Sequence, residues 1–530
     1  MTKTRTFSLT VKGMLISFFA VTVFFPILTM FSRIRWDRIG SYLTAEKFLQ
    51  TTWHSLVVTL TVTALSVSVA YVLALAVNRS RLPGKNVITI LLTLPMLIPS
   101  VSHGMGLINL FGESGLLTQI TGLHIGLLGF KGLVMGSFLY SFPVAFLMLS
   151  DAMKYADGTI YEAAEVLGIP RVHRFFAVTL PYMKRPLISA VFAVFTMAFT
   201  DYGVPLAVGG RYDTLPLYLY QEVNGLQDFS RGAFIGLILL LPAVAAFLID
   251  LKKNDAEDMG FSVKTPYCRR NRVRDTFLGA FCLVVIGFVG LVLFSFVFMT
   301  FIKKYPYDLS FTFRHIDSVL NKGMLKYFGH SLVISLFTAA IGTVIGYIMA
   351  YVTARTRNYT VTRILHLTSI SSLAIPGIVL GLGYATAFSG TFFYGTIAIL
   401  VFVNVIHFFS SPYLMAYNAL KKMNANFEDV GKTLSVSRLH LLKDVFVPNT
   451  VDTIAEMFGY FFVNSMITIS AVAFLKTTRN MPLSLMINDL KQSMALEAMA
   501  FVSLVILLSN ILAKMLIAVV KSLWKKSYNR

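Results

Sequence analysis

Two ionisable side chains lie within long apolar segments of this sequence, where polar groups are costly. His103 lies beside Ser102, and Asp201 follows an apolar run at the start of DYGVPLAVGG. An imidazole in such a position could bind a metal or the substrate, and a carboxylate near a broken span end could face a cavity or a partner charge. The simpler alternatives are a hydrogen-bonded interior histidine and an aspartate that ends a helix at the interface, and the sequence leaves both open.

Motifs for catalysis are absent from the sequence. There is no G-x4-G-K-[ST] phosphate-binding loop, and the histidines and acidic residues show no HExxH or clustered-carboxylate spacing. The two cysteines, Cys268 and Cys282, are too few for a disulfide framework. The sequence therefore predicts a chain that is not an enzyme and binds neither a metal nor a cofactor of its own.

A basic, polar segment at residues 161–186 separates two apolar segments and reads YEAAEVLGIPRVHRFFAVTLPYMKRP. Glu162, Ala163 and Ala164 favour a short helix, and we expect the Glu162 carboxylate in its first turn, near the unpaired backbone N–H groups. Gly168 is placed to end that helix with a positive φ. Such a helix–turn–helix is either a docking element or an ordinary connecting loop.

A second copy of this arrangement occupies residues 428–451, EDVGKTLSVSRLHLLKDVFVPNTV, about 267 residues later. In the first copy, a second helical stretch is predicted to close at Pro181, because proline cannot continue a helix. The repetition favours a docking role over a simple connection. The residues at matching positions of the second copy are Asp429, Val430, Gly431, Ser435 and Pro448.

The elements that must hold these segments are membrane-spanning helices. The 530 residues are 56% hydrophobic and only 13% charged, which no soluble globular protein matches. The formal net charge is +21, but the basic residues lie in short clusters between apolar segments. That distribution is typical of membrane topology, so we expect contact with lipid and no nucleic-acid partner.

About twelve apolar segments are long enough to cross a bilayer of about 30 Å. They divide equally between two repeated halves: HSLV at residue 54 returns at residue 330, and RSR at residue 79 returns as RTR at residue 355. Because each half has an even number of spans, both enter the membrane from the same side, and the repeat is parallel. The predicted fold is all-α, with spans at 14–31, 55–77, 87–110, 130–150, 187–207, 232–250, 277–301, 331–353, 364–387, 394–416, 453–474 and 497–519.

The halves are predicted to occupy residues 1–251 and 276–530, joined by a basic linker at 252–275. With the N-terminus in the cytoplasm, the inside segments carry about thirty Lys and Arg against about fifteen outside. Both termini, the linker and both helix–turn–helix segments are therefore predicted to face the cytoplasm. A basic pair after the first span of each half breaks this rule on the outer side.

Proline and glycine interrupt two matching spans, at residues 94–106 and 374–383. Proline removes a backbone hydrogen bond, and small residues allow close helix contact. These segments are therefore either bending helices that line a path or helices that simply pack closely. The candidate path residues are Pro99, His103, Asp201, Tyr202, Pro376 and Thr468, the last at the position that matches Asp201 in the repeat.

The helix–turn–helix segments resemble the EAA loop of permease subunits in binding-protein-dependent ABC importers. That pattern asks for EAA, a glycine four residues beyond the last alanine and an apolar-x-Leu-Pro ending, and the first copy has all of these. The second copy is degenerate. The resemblance implies a fused, two-half permease of the type I importer fold. In this family the loops dock two ATPase subunits that hydrolyse ATP, and an extracytoplasmic binding protein delivers the solute.

The resemblance also bears on the solute. The length and layout are similar to fused permeases of the ferric-iron group, while residues 200–233 and 465–475 resemble permeases for 2-aminoethylphosphonate uptake, a branch of that group. It therefore implies a permease of the bacterial inner membrane for an organophosphonate or ferric iron. The alternative class is an ion-coupled secondary transporter, which would need intramembrane acids and would carry no docking loops.

Overall fold

The structure, a computed structural model, describes residues 2–154, 158–254, 271–356, 359–424, 426–493 and 495–528. A bilayer offers the backbone no hydrogen-bond partners, so apolar segments of this length form helices, which pair their N–H and C=O groups internally. Among the described residues, seven helices are long and apolar enough to cross a membrane, and three bent helix pairs pass the same test. The predicted all-α, multi-pass membrane fold is confirmed.

The first half begins with a continuous apolar helix, Thr10–Ser32, which contains a π turn at Ala20–Phe24. Short 3₁₀ segments follow at Trp36–Arg38 and Leu94–Leu97, and a second π turn lies at Phe175–Thr179. Its helices are α1 (Thr2–Phe19), α2 (Phe25–Ser32), α3 (Ile39–Thr44), α4 (Glu46–Arg79), α5 (Lys85–Thr93), α6 (Ser100–Phe111), α7 (Leu116–Thr121), α8 (Phe130–Lys154), α9 (Gly158–Val166), α10 (Arg171–Arg174), α11 (Leu180–Thr200), α12 (Gly203–Val208), α13 (Leu215–Asn224) and α14 (Phe229–Asn254).

The second half repeats this order. It has a 3₁₀ segment at Ser372–Ala374 and a π turn at Leu442–Phe446, both at positions that match those of the first half. Its elements are α15 (Arg272–Thr300), β1 (Ile302–Lys304), β2 (Asp308–Phe311), α16 (Arg314–Asn321), α17 (Met324–Ala354), α18 (Tyr359–Ser371), α19 (Gly377–Phe388), α20 (Ile397–His407), α21 (Ser410–Lys421), α22 (Phe427–Thr433), α23 (Arg438–Leu441), α24 (Val447–Asn449), α25 (Val451–Ile467), α26 (Leu483–Gln492) and α27 (Leu496–Tyr528).

The predicted spans coincide with described helices or bent helix pairs, but two of them were predicted too long. The span predicted at 187–207 ends at Thr200, and the one predicted at 453–474 ends at Ile467. The backbone is extended at the next residue in each case, with ψ of 131° at Asp201 and 138° at Thr468. Several apolar residues follow Asp201 and Thr468, and the predicted spans were extended through them for that reason.

Both Pro–Gly segments are bent, as the first of the two alternatives requires. The helix pair around Pro99 is bent by 102°, and the pair around Pro376 is bent by 105°. Each proline is the N-cap of the second helix of its pair, α6 or α19, with a φ of −58°. Since proline has no N–H, it fits a helix start better than a helix interior.

The first span of each half packs against the bent helix of the other half. Helix α15 contacts α6, and a Cβ atom at Gly106 would lie 2.6 Å from Val292 Cγ1. Helix α2 contacts α19, and a Cβ atom at Gly383 would lie 3.1 Å from the Pro26 carbonyl oxygen. The repeated glycines therefore allow the two halves to approach closely, which supports the alternative that these segments serve helix packing.

Strands β1 and β2 form an antiparallel hairpin directly after α15, with Lys304 opposite Asp308. In this hairpin Lys303 Nζ lies 2.7 Å from Asp308 Oδ2. The hydrogen bond from Lys303 holds the pKa of the Asp308 carboxyl well below its usual range. One of the basic pairs that broke the charge rule therefore has an acidic partner on the same hairpin.

The linker predicted at 252–275 falls mainly on residues 255–270, which lie outside the described residues. Helix α14 continues to Asn254, and α15 begins at Arg272. The division into halves at 1–251 and 276–530 stays a prediction.

Candidate functional site

The two helix–turn–helix loops each connect the fourth span of their half to the fifth. In a parallel repeat both loops lie on the same side of the membrane, which we call the loop face. The first loop contains α9, α10 and a π turn before α11. The second contains α22, α23 and a π turn before α24.

The turns of the two loops have the same geometry. Gly168 has a φ of +67°, as predicted, and the Ile169 N–H donates to the Ala164 carbonyl at 3.1 Å. Ser435 has a φ of +57°, and the Val436 N–H donates to the Gly431 carbonyl at 2.8 Å. Both helices therefore end in a left-handed residue closed by a six-residue hydrogen bond, the Schellman motif.

The helical stretch of the first loop does not close at Pro181, so that prediction is wrong. Pro181 lies in the first turn of α11, and Pro448 lies in the first turn of α24. A π turn precedes each of them, at Phe175–Thr179 and Leu442–Phe446. The first turn of a helix needs no intrahelical N–H donor, so proline is tolerated where the π turn passes into α-helix.

The predicted position of Glu162 is also wrong. Helix α9 begins at Gly158, so Glu162 lies beyond the first turn, and no acidic residue lies in that turn. In the second loop, Glu428 and Asp429 do lie in the first turn of α22. Favourable interaction with the helix dipole is therefore available to Asp429 and not to Glu162.

Apolar side chains of both loops are exposed rather than buried. Leu167 is 75% exposed, and Leu434, at the matching position, is 68% exposed. Of the adjacent small residues, Ala163 is exposed and Ala164 is buried, as is its counterpart Gly431. Exposed apolar groups on a polar loop favour contact with a partner. Further exposed apolar residues are Val166 and Phe176 in the first loop, and Val430 and Leu439 in the second.

Tyr202 lies at the contact between the two halves, near the face opposite the loops. Its side chain is fully buried, and its hydroxyl accepts a hydrogen bond from Asn488 Nδ2 at 3.1 Å. Its ring stacks on Tyr220 at 5.1 Å, and Tyr220 lies 5.8 Å from the ring of Phe474 in the second half. We call these four side chains the aromatic seal, because they join the halves at this end.

Asp201 uses its carboxylate to cap α12. Its Oδ2 accepts a hydrogen bond from the Val204 N–H at 2.9 Å, and its Oδ1 accepts one from the Gly203 N–H at 3.3 Å. In this conformation the carboxylate is 7% exposed and serves the backbone, which favours the helix-end alternative. Thr468, at the matching position, accepts a hydrogen bond from Ser484 on its carbonyl at 2.7 Å.

His103 is buried on α6, 1% exposed, with its ring 6.0 Å from that of Tyr140. Neither ring nitrogen reaches hydrogen-bonding geometry with a described residue, although backbone carbonyls such as that of Pro95 lie nearby. A narrow cavity separates it from α15, where Val289 and Val292 line the far wall. His103 is therefore an interior side chain that faces backbone carbonyls, and its hydrogen bonding stays a prediction.

The repeated HSLV motif holds α13 and α26, the two short helices that carry Tyr220 and Asn488 of the aromatic seal. Ser55 Oγ accepts a hydrogen bond from the first N–H of α13, and Ser331 Oγ accepts one from the first N–H of α26, both at 2.7 Å. His54 Nδ1 lies 3.1 Å from the Asp213 carbonyl, and His330 Nδ1 lies 3.1 Å from the Met481 carbonyl. Each half therefore fixes one short helix to its own long span.

Sequence reasoning found Tyr202 but missed its partners Tyr220, Phe474 and Asn488. Tyr220 lies on α13 and Asn488 lies on α26, two helices that occupy matching places in the repeat. Contacts between residues this far apart in sequence depend on how the two halves meet. A single sequence does not reveal that arrangement.

Comparisons with known proteins agree with this architecture. The profile of the family described as "Binding-protein-dependent transport system inner membrane component" matches residues 66–251 and, a second time, residues 342–526. The two matches fall one in each half of the repeat, and each includes one helix–turn–helix loop.

Three relatives illustrate the similarity. The chain is 23% identical over 432 residues to the ferric transport system permease protein FbpB of Actinobacillus pleuropneumoniae, covering 78% of this chain and 62% of the relative. It is 24% identical over 432 residues to a putative ferric transport system permease of Haemophilus influenzae, covering 78% and 68%. It is 25% identical over 206 residues to the thiamine transport system permease protein of Salmonella typhimurium, covering 38% of each.

The alignment thus spans about three fifths of the first relative's own length. Apolar helices, two copies of one domain and two loops with the same turn identify the same architecture from independent observations. The chain therefore belongs to the binding-protein-dependent transport system inner membrane components, as a multi-pass membrane protein that carries the family domain twice.

Proposed function

We propose that this chain forms the translocation path of an ABC importer, accepts a small solute from an extracytoplasmic binding protein, and is driven by two separate ATPase subunits bound at the loop face. One observation carries the proposal: both loops have the same left-handed turn, with an exposed leucine just before it. Two similar surfaces on one side of a repeated chain suit two copies of one partner.

The loop face is the cytoplasmic side in this proposal, and both termini lie there. The argument is the excess of Lys and Arg in the segments on that side. Binding-protein contact then occurs at the opposite face, beside the aromatic seal of Tyr202, Tyr220, Phe474 and Asn488. The seal would open when the two halves separate at this face.

The proposed path lies between the halves and passes Pro99, His103 and Pro376. Asp201 and Thr468 mark the two span ends beside the seal. His103 has no hydrogen-bond partner among the described residues, so it is the path candidate with spare hydrogen-bonding capacity. Asp201 is a weaker candidate, because its carboxylate already caps α12.

We propose ferric iron as the first solute to test, because two relatives are named as ferric transport permeases. The resemblance of residues 200–233 and 465–475 to aminoethylphosphonate permeases supports the second candidate. In either case ATP is the energy source, and its hydrolysis belongs to the partner subunits, since the sequence has no phosphate-binding loop. An ion-coupled transporter gains no support from Asp201, whose carboxylate binds backbone N–H groups.

The experiment reconstitutes the purified chain in vesicles with and without its co-purified ATPase. We expect no ATP hydrolysis by the chain alone, and solute uptake only when the ATPase and the binding protein are both present. Uptake of radiolabelled ferric iron and of 2-aminoethylphosphonate is measured in parallel. Hydrolysis by the isolated chain at a rate similar to that of the complex would contradict the proposal.

Orientation is tested separately with single cysteines in a variant whose Cys268 and Cys282 are replaced by serine. A cysteine at Gly225 is expected to react with an impermeant reagent from outside, and one at Arg272 only after the membrane is opened. Both positions are exposed in the structure. The opposite labelling pattern would overturn the cytoplasmic assignment of the loop face.

A further inference from the structure

Arg355, at the loop face, uses its guanidinium in several hydrogen bonds at once. It directly follows α17, and its side chain is only 6% exposed. Its Nε donates to Glu428 Oε1 at 2.5 Å, and its Nη2 donates to Glu428 Oε2 at 2.6 Å. Two parallel hydrogen bonds between a guanidinium and a carboxylate are stronger and better oriented than a single contact.

The remaining donors of Arg355 close a second connection. Its Nη1 donates to the Met423 carbonyl at 2.9 Å, and its Nη2 donates to the Asn424 carbonyl at 2.7 Å. The guanidinium also lies over the ring of Phe446, at 5.0 Å from its centre. A planar group with five donors can make all of these contacts at once, whereas lysine cannot.

These contacts join three parts of the second half. Glu428 belongs to α22, the first arm of the docking loop, and Phe446 ends the π turn of its second arm. The carbonyls of Met423 and Asn424 follow the end of α21, the span that leads into the loop. One side chain thus ties the end of α17 to both arms of the loop and to the span before it.

The first half has an arginine at the matching position and different residues around it. Arg79 ends α4 as Arg355 follows α17, but Tyr161 stands where the second half has Glu428, and Thr179 stands where it has Phe446. Neither substitute can accept a bidentate arginine or present an aromatic face in the same place. The residues that bind Arg355 in the second half are therefore not repeated at the matching positions of the first half, although the RSR and RTR motifs look alike in the sequence.

We propose that Arg355 is a positioning residue for energy coupling, which holds the second docking loop rigidly on α17 so that a displacement of the docked partner moves that span. The proposal rests on the proposed docking function. Without Arg355 the loop keeps its turn and its exposed leucine, but it loses its fixed orientation relative to α17.

The test measures amide hydrogen exchange of the intact purified protein, together with transport and ATP hydrolysis of the complex. In Arg355→Ala and Glu428→Ala, we expect exchange in α22 to rise about tenfold or more, with α9 unchanged as the internal reference. ATP hydrolysis is expected to continue while solute transported per ATP falls several-fold. Arg355→Lys should behave like Arg355→Ala, because it keeps the charge but not the paired hydrogen bonds.

Two controls separate this role from general destabilisation. Arg363→Ala removes the same charge from an exposed position on α18 and should leave exchange and coupling at wild-type values. The double variant of Arg355 and Glu428 should be no worse than either single variant, because both remove one interaction.

The proposal would be overturned if amide exchange in α22 of the Arg355→Ala variant stayed at the wild-type rate. It would also be overturned if exchange in α9 rose as much as exchange in α22. Failure of the proposed function would look different. The wild-type chain would then bind no ATPase at all, while the exchange measurement would still report on the Arg355 contacts.

Discussion

The two docking loops have the same fold and keep it by different means. The first has the full EAA sequence and a glycine at its left-handed turn, while the second has Asp-Val-Gly and places Ser435 in the same backbone conformation. A non-glycine residue at positive φ is strained by about 1–2 kcal/mol. The second loop accepts that strain, and its Glu428 is bound by Arg355, which lies outside the loop at the end of α17. A degenerate motif therefore does not mean that the loop fails to form; it means that other contacts stabilise the loop.

Among the substitutions that test this comparison, we expect Gly168→Val to have the largest effect. A β-branched residue at a φ of +67° strains the backbone by about 2 kcal/mol or more. No described atom lies within 4 Å of a Cβ atom at Gly168, so a steric clash would not explain the loss of function. We expect normal membrane abundance and loss of ATPase co-purification and uptake. Ser435→Val should do less harm, because Ser435 already bears the cost of positive φ. Equal effects at the two positions would break the comparison.

The exposed leucines provide the next test. Burying one leucine at an interface contributes about 1.5–3 kcal/mol, so Leu167→Ser should weaken ATPase binding about tenfold or more. Leu434→Ser should weaken it by a similar factor if both loops dock equivalent subunits. Binding is measured by titrating purified ATPase onto the chain in nanodiscs. Unchanged affinity in both variants would show that these side chains do not contact the partner.

A reciprocal exchange sharpens the comparison of the turns. Gly168→Ser should destabilise the first loop by about 1 kcal/mol, and Ser435→Gly should stabilise the second by a similar amount. Amide exchange near each turn measures both changes, with the opposite loop as the reference. Effects of the same sign would mean that backbone strain is not what distinguishes the two turns.

The smallest effect is expected at the surface ion pair of the second loop. Lys432 Nζ lies 2.7 Å from Asp429 Oδ1, and both side chains are more than half exposed. Exposed pairs of this kind contribute about 0.5 kcal/mol or less. Lys432→Ala should therefore leave thermal unfolding nearly unchanged, in contrast to Arg355→Ala. A large loss of stability in Lys432→Ala would show that the loop depends on surface charge as well as on Arg355.

Local signals in the sequence predicted local structure well. The positive φ at Gly168, the bends at Pro99 and Pro376 and the apolar spans each follow from residues that are adjacent along the chain. The errors arose where a competing local solution was available. The π turn at Phe175–Thr179 allowed helix to continue through Pro181, and the earlier start of α9 moved Glu162 out of its first turn.

Contacts between distant segments were beyond the reach of a single sequence. The basic RTR motif reads as a topology signal, and nothing local distinguishes Arg355 from the neighbouring arginines. Its role depends on Glu428 and Phe446, which lie many residues away. The partners of Tyr202 were missed for the same reason, and the capping role of Asp201 required the extended backbone at the end of α11.

The first span of each half packs against the other half, and this reciprocal packing has a consequence for the order of synthesis. Helix α15 emerges after its partner α6 is already in the membrane, so it meets a finished surface. Helix α2 must wait for α19, roughly 345 residues later, which takes about 20–70 s at about 5–20 residues per second. During that interval lipid occupies the surface of α2 that α19 will later cover. The first half therefore cannot complete its packing until the second half has been made.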